Sequence, residues 1–233
     1  MFKGLFFGSI GVVAETSELQ RRAFNQAFKE AGMTWCWNED MYKLMLVING
    51  GQKRIRHYAK NEGASLSETE VANLHSRKTE IYNGMLAAGD LEARPGVKAL
   101  IKEAKTAGLK LAWTSTTSRQ NVEAVASATG LSLDDFDEVF SAERVQHSKP
   151  DPEVYTKALD ALGLSPEEAV AVEDTASSLQ AALNAGLTTV VTPGAYTKDQ
   201  DVSGAAMVID NLGDLDGLQT LRDLVARGQT VTG

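Results

Sequence analysis

Residues 3–11 have the sequence Lys3-Gly4-Leu5-Phe6-Phe7-Gly8-Ser9-Ile10-Gly11, and this stretch decides the fold. An apolar run of strand length ends at Gly8, and a tight loop follows. Glycines around such a run are typical of places where the backbone turns sharply or lies close to a ligand. The stretch therefore predicts a buried first strand whose carboxyl end opens into a loop.

The second half of the chain alternates helical segments with short apolar runs. The runs are predicted to form strands over residues 110–113, 138–140, 169–172, 188–191 and 207–209. Short, continuously apolar strands that alternate with helices are typical of a parallel sheet covered on both faces. The pattern predicts an α/β fold with a Rossmann-like parallel sheet and a closing helix over residues 214–226.

From residue 17 to residue 89 the hydrophobic pattern is helical. Apolar residues recur at spacings of three and four over residues 19–31, and Asn38 and Ser67 suit the starts of further helices. We therefore predict two domains. Residues 1–16 and 90–233 form an α/β core, and residues 17–89 form an all-helical cap domain inserted after the first strand.

Composition limits the classes of partner and compartment. The 233 residues carry a formal net charge of −8, which argues against nucleic acid or an anionic membrane as the main partner. Cys36 is the single cysteine, so the chain can form no internal disulfide, and a reducing compartment is indicated. We expect Cys36 to be a small buried residue between Trp35 and Trp37. We also expect a cytoplasmic protein, because neither a signal peptide nor a membrane-spanning run is evident. The protein is further expected to be a monomer.

Polar residues follow four of the predicted strands. They are Gly8-Ser9, Thr114-Ser115, the loop that contains Lys149, and Glu173-Asp174. Ligands of open parallel sheets bind at the carboxyl ends of the strands. The four segments are therefore expected to meet in one crevice.

These segments resemble the four motifs of the haloacid dehalogenase (HAD) superfamily of phosphohydrolases. Further stretches, over residues 15–25, 35–37, 50–55, 94–96, 116–123 and 193–197, are similar to the CbbY-like branch, to which β-phosphoglucomutases are closely related. The resemblance covers essentially the whole chain. It implies a HAD-like core with a helical cap and, in typical members, Mg²⁺-dependent phosphatase activity on sugar phosphates.

The first motif departs from the family. The superfamily pattern is D-x-D-G-[TV], whereas this chain has Gly8-Ser9-Ile10-Gly11-Val12. Gly8 stands where the family has its nucleophile and metal ligand, and Ile10 stands where it has its general acid/base. Losing a covalent nucleophile costs on the order of a millionfold in rate in a well-studied protease. No catalytic residue is therefore expected to be intact, and Ser9 is not expected to replace the nucleophile, because no histidine lies near it in sequence.

The remaining motifs predict a phosphate site. Ser115, with Thr116 beside it, matches the hydroxyl of the second motif, and Lys149 matches the lysine of the third. Together with the backbone at Ser9 and Ile10, these groups would form an anion nest. Ser115 also suits the N-cap of the helix that follows it. His147, nearby, is interpreted as a polar loop residue.

The resemblance also implies metal and substrate residues. Asp174 and Glu173 match the fourth motif and are predicted to hold Mg²⁺, with the backbone carbonyl of Ile10 as a weak further ligand. Loss of the carboxylate at position 8 predicts weak or absent metal binding. In the cap, the candidates for contact with the substrate are Tyr42, Gln52, Lys53 and Arg54.

Three hypotheses follow. The first is a protein that binds phosphate or a phosphorylated sugar and lacks aspartyl-phosphate chemistry. The alternative is a weak or altered Mg²⁺-dependent sugar-phosphate phosphatase or phosphoglucomutase. The third is an engineered or drifted chain with no ligand role, which the retained Ser115, Lys149 and Glu173-Asp174 disfavour.

Overall fold

The computed structural model describes residues 1–48, 50–89 and 91–230, with side chains described as far as residue 227. Two compact units divide the chain. An α/β unit contains Met1–Glu15 and Leu91–Gly233, and a helical unit contains Thr16–Asp90.

Six strands form one parallel sheet in the α/β unit. They are β1 (Gly4–Phe7), β2 (Lys110–Thr114), β3 (Glu138–Phe140), β4 (Ala169–Glu173), β5 (Thr188–Val191) and β6 (Met207–Val208). The spatial order is β3-β2-β1-β4-β5-β6, so β1 lies near the centre of the sheet, between β2 and β4. The predicted α/β fold with a parallel sheet is confirmed.

The described residues contain ten α-helices. In chain order they are α1 (Ile10–Val13), α2 (Ser17–Glu30), α3 (Glu39–Met45), α4 (Gly51–Asn61), α5 (Glu68–Ala87), α6 (Val97–Thr106), α7 (Arg119–Thr129), α8 (Glu153–Leu162), α9 (Ala176–Asn184) and α10 (Gly217–Thr230). This count refers to the residues that the structure describes.

The strands are apolar because helices cover the sheet on both faces. Leu5, Phe6 and Phe7 of β1 are completely buried. Phe6 belongs to a core cluster that includes residues of β2 and β4 and the buried faces of α8 and α9. Burial of a side chain of this size contributes about 1.5–3 kcal/mol. The sheet therefore holds the loops at its carboxyl edge on a rigid base.

The helical unit is organised around aromatic side chains. The rings of Phe24, Phe28, Trp37, Tyr42 and Tyr58 pack against one another with centroids 4.7–6.2 Å apart. Such pairs stabilise a core beyond the area that they bury.

Two helices of this unit begin as the sequence predicts. Asn38 caps α3 by accepting a hydrogen bond from the amide of Met41, and Ser67 forms a capping box with Glu70 at the start of α5.

Three local expectations are wrong. Residues 10–13, expected as loop, form the short helix α1, because Ile10, Val12 and Val13 turn apolar side chains into the interior. The last helix begins at Gly217 rather than at residue 214, since residues 212–214 form a 3₁₀ turn capped by Asn211. Cys36 is exposed, while its neighbour Trp37 is buried.

A search of the described residues finds no helix that is both long and apolar enough to cross a bilayer.

Candidate active site

The register of the sheet brings three strand ends to one level. Phe7 of β1 is paired with Trp113 of β2 and with Val172 of β4. The amide of Gly8 donates to the carbonyl of Val172 at 2.9 Å, so Gly8 follows β1 in line with the end of β4. The predicted convergence of Gly8, the end of β2 and the end of β4 is thus present in the sheet.

Lys149 reaches this level from the loop before α8. Its side chain is 7% exposed. The ammonium group donates to the carbonyl of Gly8 at 2.9 Å, to the hydroxyl of Tyr155 at 3.1 Å and to Oε1 of Glu173 at 2.6 Å. Lys149 therefore lies against the backbone of the position where the family carries its nucleophile.

Glu173, the last residue of β4, is completely buried. Its Oε1 accepts hydrogen bonds from Lys149 and from the hydroxyl of Tyr155. Burial, and after it the negative charge of Glu173, hold the pKa of Tyr155 well above its ordinary value, so this hydroxyl stays a donor. The second carboxylate oxygen of Glu173, Oε2, is buried and has no hydrogen-bond partner within the described part of the chain.

The carboxylate of Glu173 fills the space beside Gly8. A Cβ atom added to Gly8 would lie 2.2 Å from Cδ and Oε1 of Glu173 and 2.5 Å from Oε2. Bonded neighbours aside, heavy atoms do not approach so closely. In this arrangement position 8 has no room for a side chain, and a carboxylate from β4 stands in the place of one from β1.

Asp174 faces the loop after β1. Its Oδ1 accepts a hydrogen bond from the hydroxyl of Ser9. A Cβ on Gly11 would lie 1.7 Å from Oδ2 of Asp174, so the carboxylate lies directly against the backbone of this loop. Burial, followed by the negative charge of Glu173, raises the pKa of Asp174 to about 6.

Ser115 and Thr116 follow β2 as predicted. Ser115 is 3% exposed, and its hydroxyl accepts a hydrogen bond from the amide of Thr117 at 3.2 Å. The N-cap of α7 is Ser118, whose hydroxyl accepts from the amide of Asn121, so the capping role considered for Ser115 is wrong. The roles of Ser115 and Thr116 in phosphate binding stay predictions.

The acidic residues at the end of β4 suit a hard cation. Glu173 contributes a buried carboxylate oxygen that has no hydrogen-bond partner among the described residues. Burial, and after it the charge of that carboxylate, raise the pKa of the adjacent Asp174. Two such oxygens are typical of Mg²⁺ sites. These two residues would hold the ion that the family implies. The carbonyl of Ile10 already accepts the amide of Ala14 at 2.9 Å, so its participation stays a prediction.

The substrate-binding residues predicted in the helical unit have structural contacts there. Tyr42 is 1% exposed and belongs to the aromatic core. Arg54 donates through Nε to the carbonyls of Met45 and Ile48, where α3 ends. Gln52 accepts from Arg56 at 3.3 Å, and Lys53 is exposed. Contact of Tyr42, Gln52, Lys53 and Arg54 with a substrate stays a prediction.

Two buried polar residues, Tyr155 and Lys78, are not among the site residues predicted from the sequence. Tyr155 lies on the buried face of α8, where its ring is indistinguishable in the pattern from an ordinary core aromatic. Lys78 is 6% exposed, donates to Gln20 and lies 4.8 Å from the centre of the Tyr82 ring. A lysine at a position of the buried helical face was the available signal for the second.

Comparisons with known proteins identify the family of this chain. The model of the haloacid dehalogenase-like hydrolases matches residues 11–192. The chain belongs to this family. Its match begins directly after residues 8–10, which include Gly8 and Ile10, the two positions at which the first motif departs from the pattern.

Within the family, the chain belongs to the CbbY-like branch. It is 39% identical to protein CbbY of Cereibacter sphaeroides over 97% of this chain and 99% of that protein. It is 36% identical to a CBBY-like protein of Arabidopsis thaliana over 90% of this chain and 69% of that one.

A solved structure shows the same fold. The crystal structure of CbbY from Rhodobacter sphaeroides in complex with phosphate has a TM-score of 0.88 and 38% identity, and it covers 95% of this chain and all of its own. An aspartate-to-asparagine mutant of that CbbY, in complex with xylulose 1,5-bisphosphate, matches equally well, with a TM-score of 0.88.

Proposed function

We propose that this family member binds phosphate or a phosphorylated sugar at the carboxyl edge of its sheet and does not hydrolyse it through an aspartyl-phosphate. One observation carries the proposal. The side-chain space of Gly8 is filled by the carboxylate of Glu173, which is itself held by Lys149 and Tyr155. A nucleophile attached to β1 is absent, while the groups that would neutralise an anion remain.

The donors at the strand ends support anion binding. Lys149 supplies a buried ammonium group, and Ser115 supplies a buried hydroxyl. An ammonium group shielded from water attracts a phosphate oxygen more strongly than one on the surface. A phosphate seated on Lys149 would compete with Glu173 for its protons.

Charge balance makes the cation part of the proposal. Lys149 faces two carboxylates, those of Glu173 and Asp174. A phosphate dianion added to this set would be repelled unless the carboxylates are neutralised. Mg²⁺ held by Glu173 and Asp174 would supply that neutralisation, so we expect phosphate affinity to rise when Mg²⁺ is present.

The chemistry of the ligand is suggested by the relatives. The CbbY structures contain phosphate and xylulose 1,5-bisphosphate. A sugar bisphosphate is therefore the first ligand to test, with inorganic phosphate as its minimal fragment.

A second candidate is an altered hydrolase, and one observation favours it. The hydroxyl of Ser9 donates to Asp174, whose pKa is raised to about 6. In this second candidate the oxygen of Ser9 would attack phosphorus and displace the sugar oxygen, while Asp174 would accept the proton of Ser9 and pass it to that departing oxygen. Asp174 would then take a proton from a water molecule, which would attack the phosphoserine and release inorganic phosphate, and Asp174 would return the proton to the oxygen of Ser9. The sequence offered no histidine for this role, but a carboxylate can act as a general base.

Calorimetry and phosphate release together test the proposal. Wild-type protein is titrated with phosphate and with xylulose 1,5-bisphosphate, with and without Mg²⁺, and is assayed for phosphate release from a panel of sugar phosphates. The variant Lys149→Met/Glu173→Gln removes the ammonium group together with the charge of Glu173, so this buried ion pair is lost as a whole. Lys29→Met, at an exposed lysine of α2 that is not among the predicted site residues, is the matched control.

We expect the wild type and the control variant to bind phosphate and xylulose 1,5-bisphosphate without releasing phosphate. We expect the double variant to lose this binding. Binding that survives in the double variant would overturn the proposed site. Phosphate release by the wild type that is abolished in Ser9→Ala would establish the second candidate instead.

A further inference from the structure

A second group of metal-ligating side chains lies outside the strand-end carboxylates. His147, Asp151 and Glu153 each offer one ligand atom, and these atoms all lie within 4.8 Å of one another. The group is formed by the loop before α8 and the first residue of that helix. Nothing in the proposed function uses these three side chains.

The backbone fixes the orientation of Glu153. Its carboxylate accepts hydrogen bonds from the amide of Gln146 at 2.9 and 3.0 Å and from the amide of His147 at 2.7 Å. Asp151 is tied to the same turn, because its Oδ1 accepts the amide of Glu153 at 2.9 Å. Three side chains are thus presented by one short segment whose geometry is set by its own hydrogen bonds.

The spacing of two ligand atoms suits a shared ion. Nδ1 of His147 lies 3.1 Å from Oε2 of Glu153. Two ligands bound to one ion at about 2.1 Å each, at tetrahedral or octahedral angles, lie about 3.0–3.4 Å apart. In the structure a hydrogen bond joins the two atoms at this separation, and an ion bound by both atoms would replace it. The carboxylate of Asp151 lies within reach as the third ligand.

Two features of the surroundings affect the binding of a cation by these side chains. The side chain of His147 is 66% exposed, which gives an ion from solvent a path to the imidazole. Lys157 opposes the cation, because its ammonium group lies 2.6 Å from Oε1 of Glu153.

We propose that His147, Asp151 and Glu153 form a binding site for a divalent transition-metal ion such as Zn²⁺ or Co²⁺. An imidazole with two carboxylates favours such ions, whereas Mg²⁺ prefers oxygen ligands alone. Lys149 lies between His147 and Asp151, so an ion at this site would fix both flanks of the loop that carries Lys149 to the carbonyl of Gly8. The proposal stands whether or not the strand ends bind phosphate.

The test is a titration of untagged, chelator-treated protein with Zn²⁺ by calorimetry and with Co²⁺ by visible absorption, both in excess Mg²⁺. We expect about one equivalent to bind, and a loss of at least about tenfold in affinity in His147→Ala and in Asp151→Asn. Lys157→Met should change affinity in the opposite direction, since it removes the competing cation.

Two controls separate this site from other ligands of the chain. His57→Ala removes another exposed histidine, which contacts Asn61 in α4, and Cys36→Ser removes the exposed thiol. Both should leave the affinity unchanged. The proposal is overturned if the wild type binds no ion, if His147→Ala binds as well as the wild type, or if either control abolishes binding.

Discussion

Replacing Gly8 by alanine tests whether the carboxylate of Glu173 occupies the space beside β1. The new methyl carbon would lie 2.2 Å from Cδ and Oε1 of Glu173. The preferred separation of non-bonded carbon and oxygen atoms is about 3.5 Å, so the carboxylate of Glu173 must move away by more than about 1 Å. The retreat breaks its contact with Lys149, which now measures 2.6 Å, and its hydrogen bond with Tyr155.

The magnitude follows from the burial of these groups. Glu173 is completely buried and Lys149 is 7% exposed, so water cannot solvate either charge once their contact is broken. Disrupting a buried ion pair typically costs about 3–5 kcal/mol. We therefore expect Gly8→Ala to lower the free energy of unfolding by about 3 kcal/mol or more.

Urea denaturation, followed by tryptophan fluorescence and far-UV circular dichroism, measures this loss. The same substitution is then made in Lys149→Met/Glu173→Ala, where the space beside Gly8 is vacant and both members of the buried ion pair are removed together. There Gly8→Ala should cost less than about 1 kcal/mol, and the difference between the two backgrounds is the coupling energy. Gly84→Ala is the control, because a Cβ at Gly84 in α5 meets open space and should stabilise the helix by up to about 1 kcal/mol.

An equal cost of Gly8→Ala in both backgrounds would refute the reasoning, since the carboxylate of Glu173 would then have no part in it. A negligible cost in the wild-type background would refute it as well. The second result would mean that position 8 accepts a side chain and that a nucleophile could be restored there by a single substitution, whereas the first would place the cost in contacts other than those of Glu173.

Two further predictions concern buried polar groups. Tyr155→Phe removes the hydroxyl that contacts Lys149 and Glu173, so the urea midpoint should fall by the equivalent of about 1–3 kcal/mol, and an unchanged midpoint would contradict these hydrogen bonds. Burial, and after it the charge of Arg54, lower the pKa of Lys78 to about 7 in the folded protein, so above pH 7 the unfolded chain binds the extra proton. Stability should therefore rise with pH by up to about 1.4 kcal/mol per unit between pH 7 and pH 9, and this rise should vanish in Lys78→Met.

Much of the architecture was accessible from sequence because it depends on patterns that repeat. The apolar run of β1 and the alternation of helices and strands in the second half of the chain predicted the parallel sheet. The rule that ligands bind at the carboxyl ends of parallel strands predicted that Lys149 and Asp174 lie at one edge of that sheet. Helix starts with a clear capping residue, such as Ser67, were also accessible.

Other features depend on space rather than on pattern. That Glu173 would turn toward Gly8 follows from the room left by a missing side chain, and no periodicity encodes it. Cys36 was expected to be buried because both its neighbours are tryptophans, yet only Trp37 is taken into the core. The link between Ser9 and Asp174 joins residues far apart in sequence, so it required the sheet register to be known.

The position of β1 between β2 and β4 has a consequence for how the chain is made. β1 lies at residues 4–7, and its two partners lie at residues 110–113 and 169–172. During synthesis β1 is made before both of these partners, and one of its edges stays unpaired until β4 has been synthesised. Long-range strand pairing of this kind is slow and leaves exposed strands open to association with other chains. β1 is therefore made well before it can take its place in the sheet, and in that interval its unpaired edge can associate with other chains.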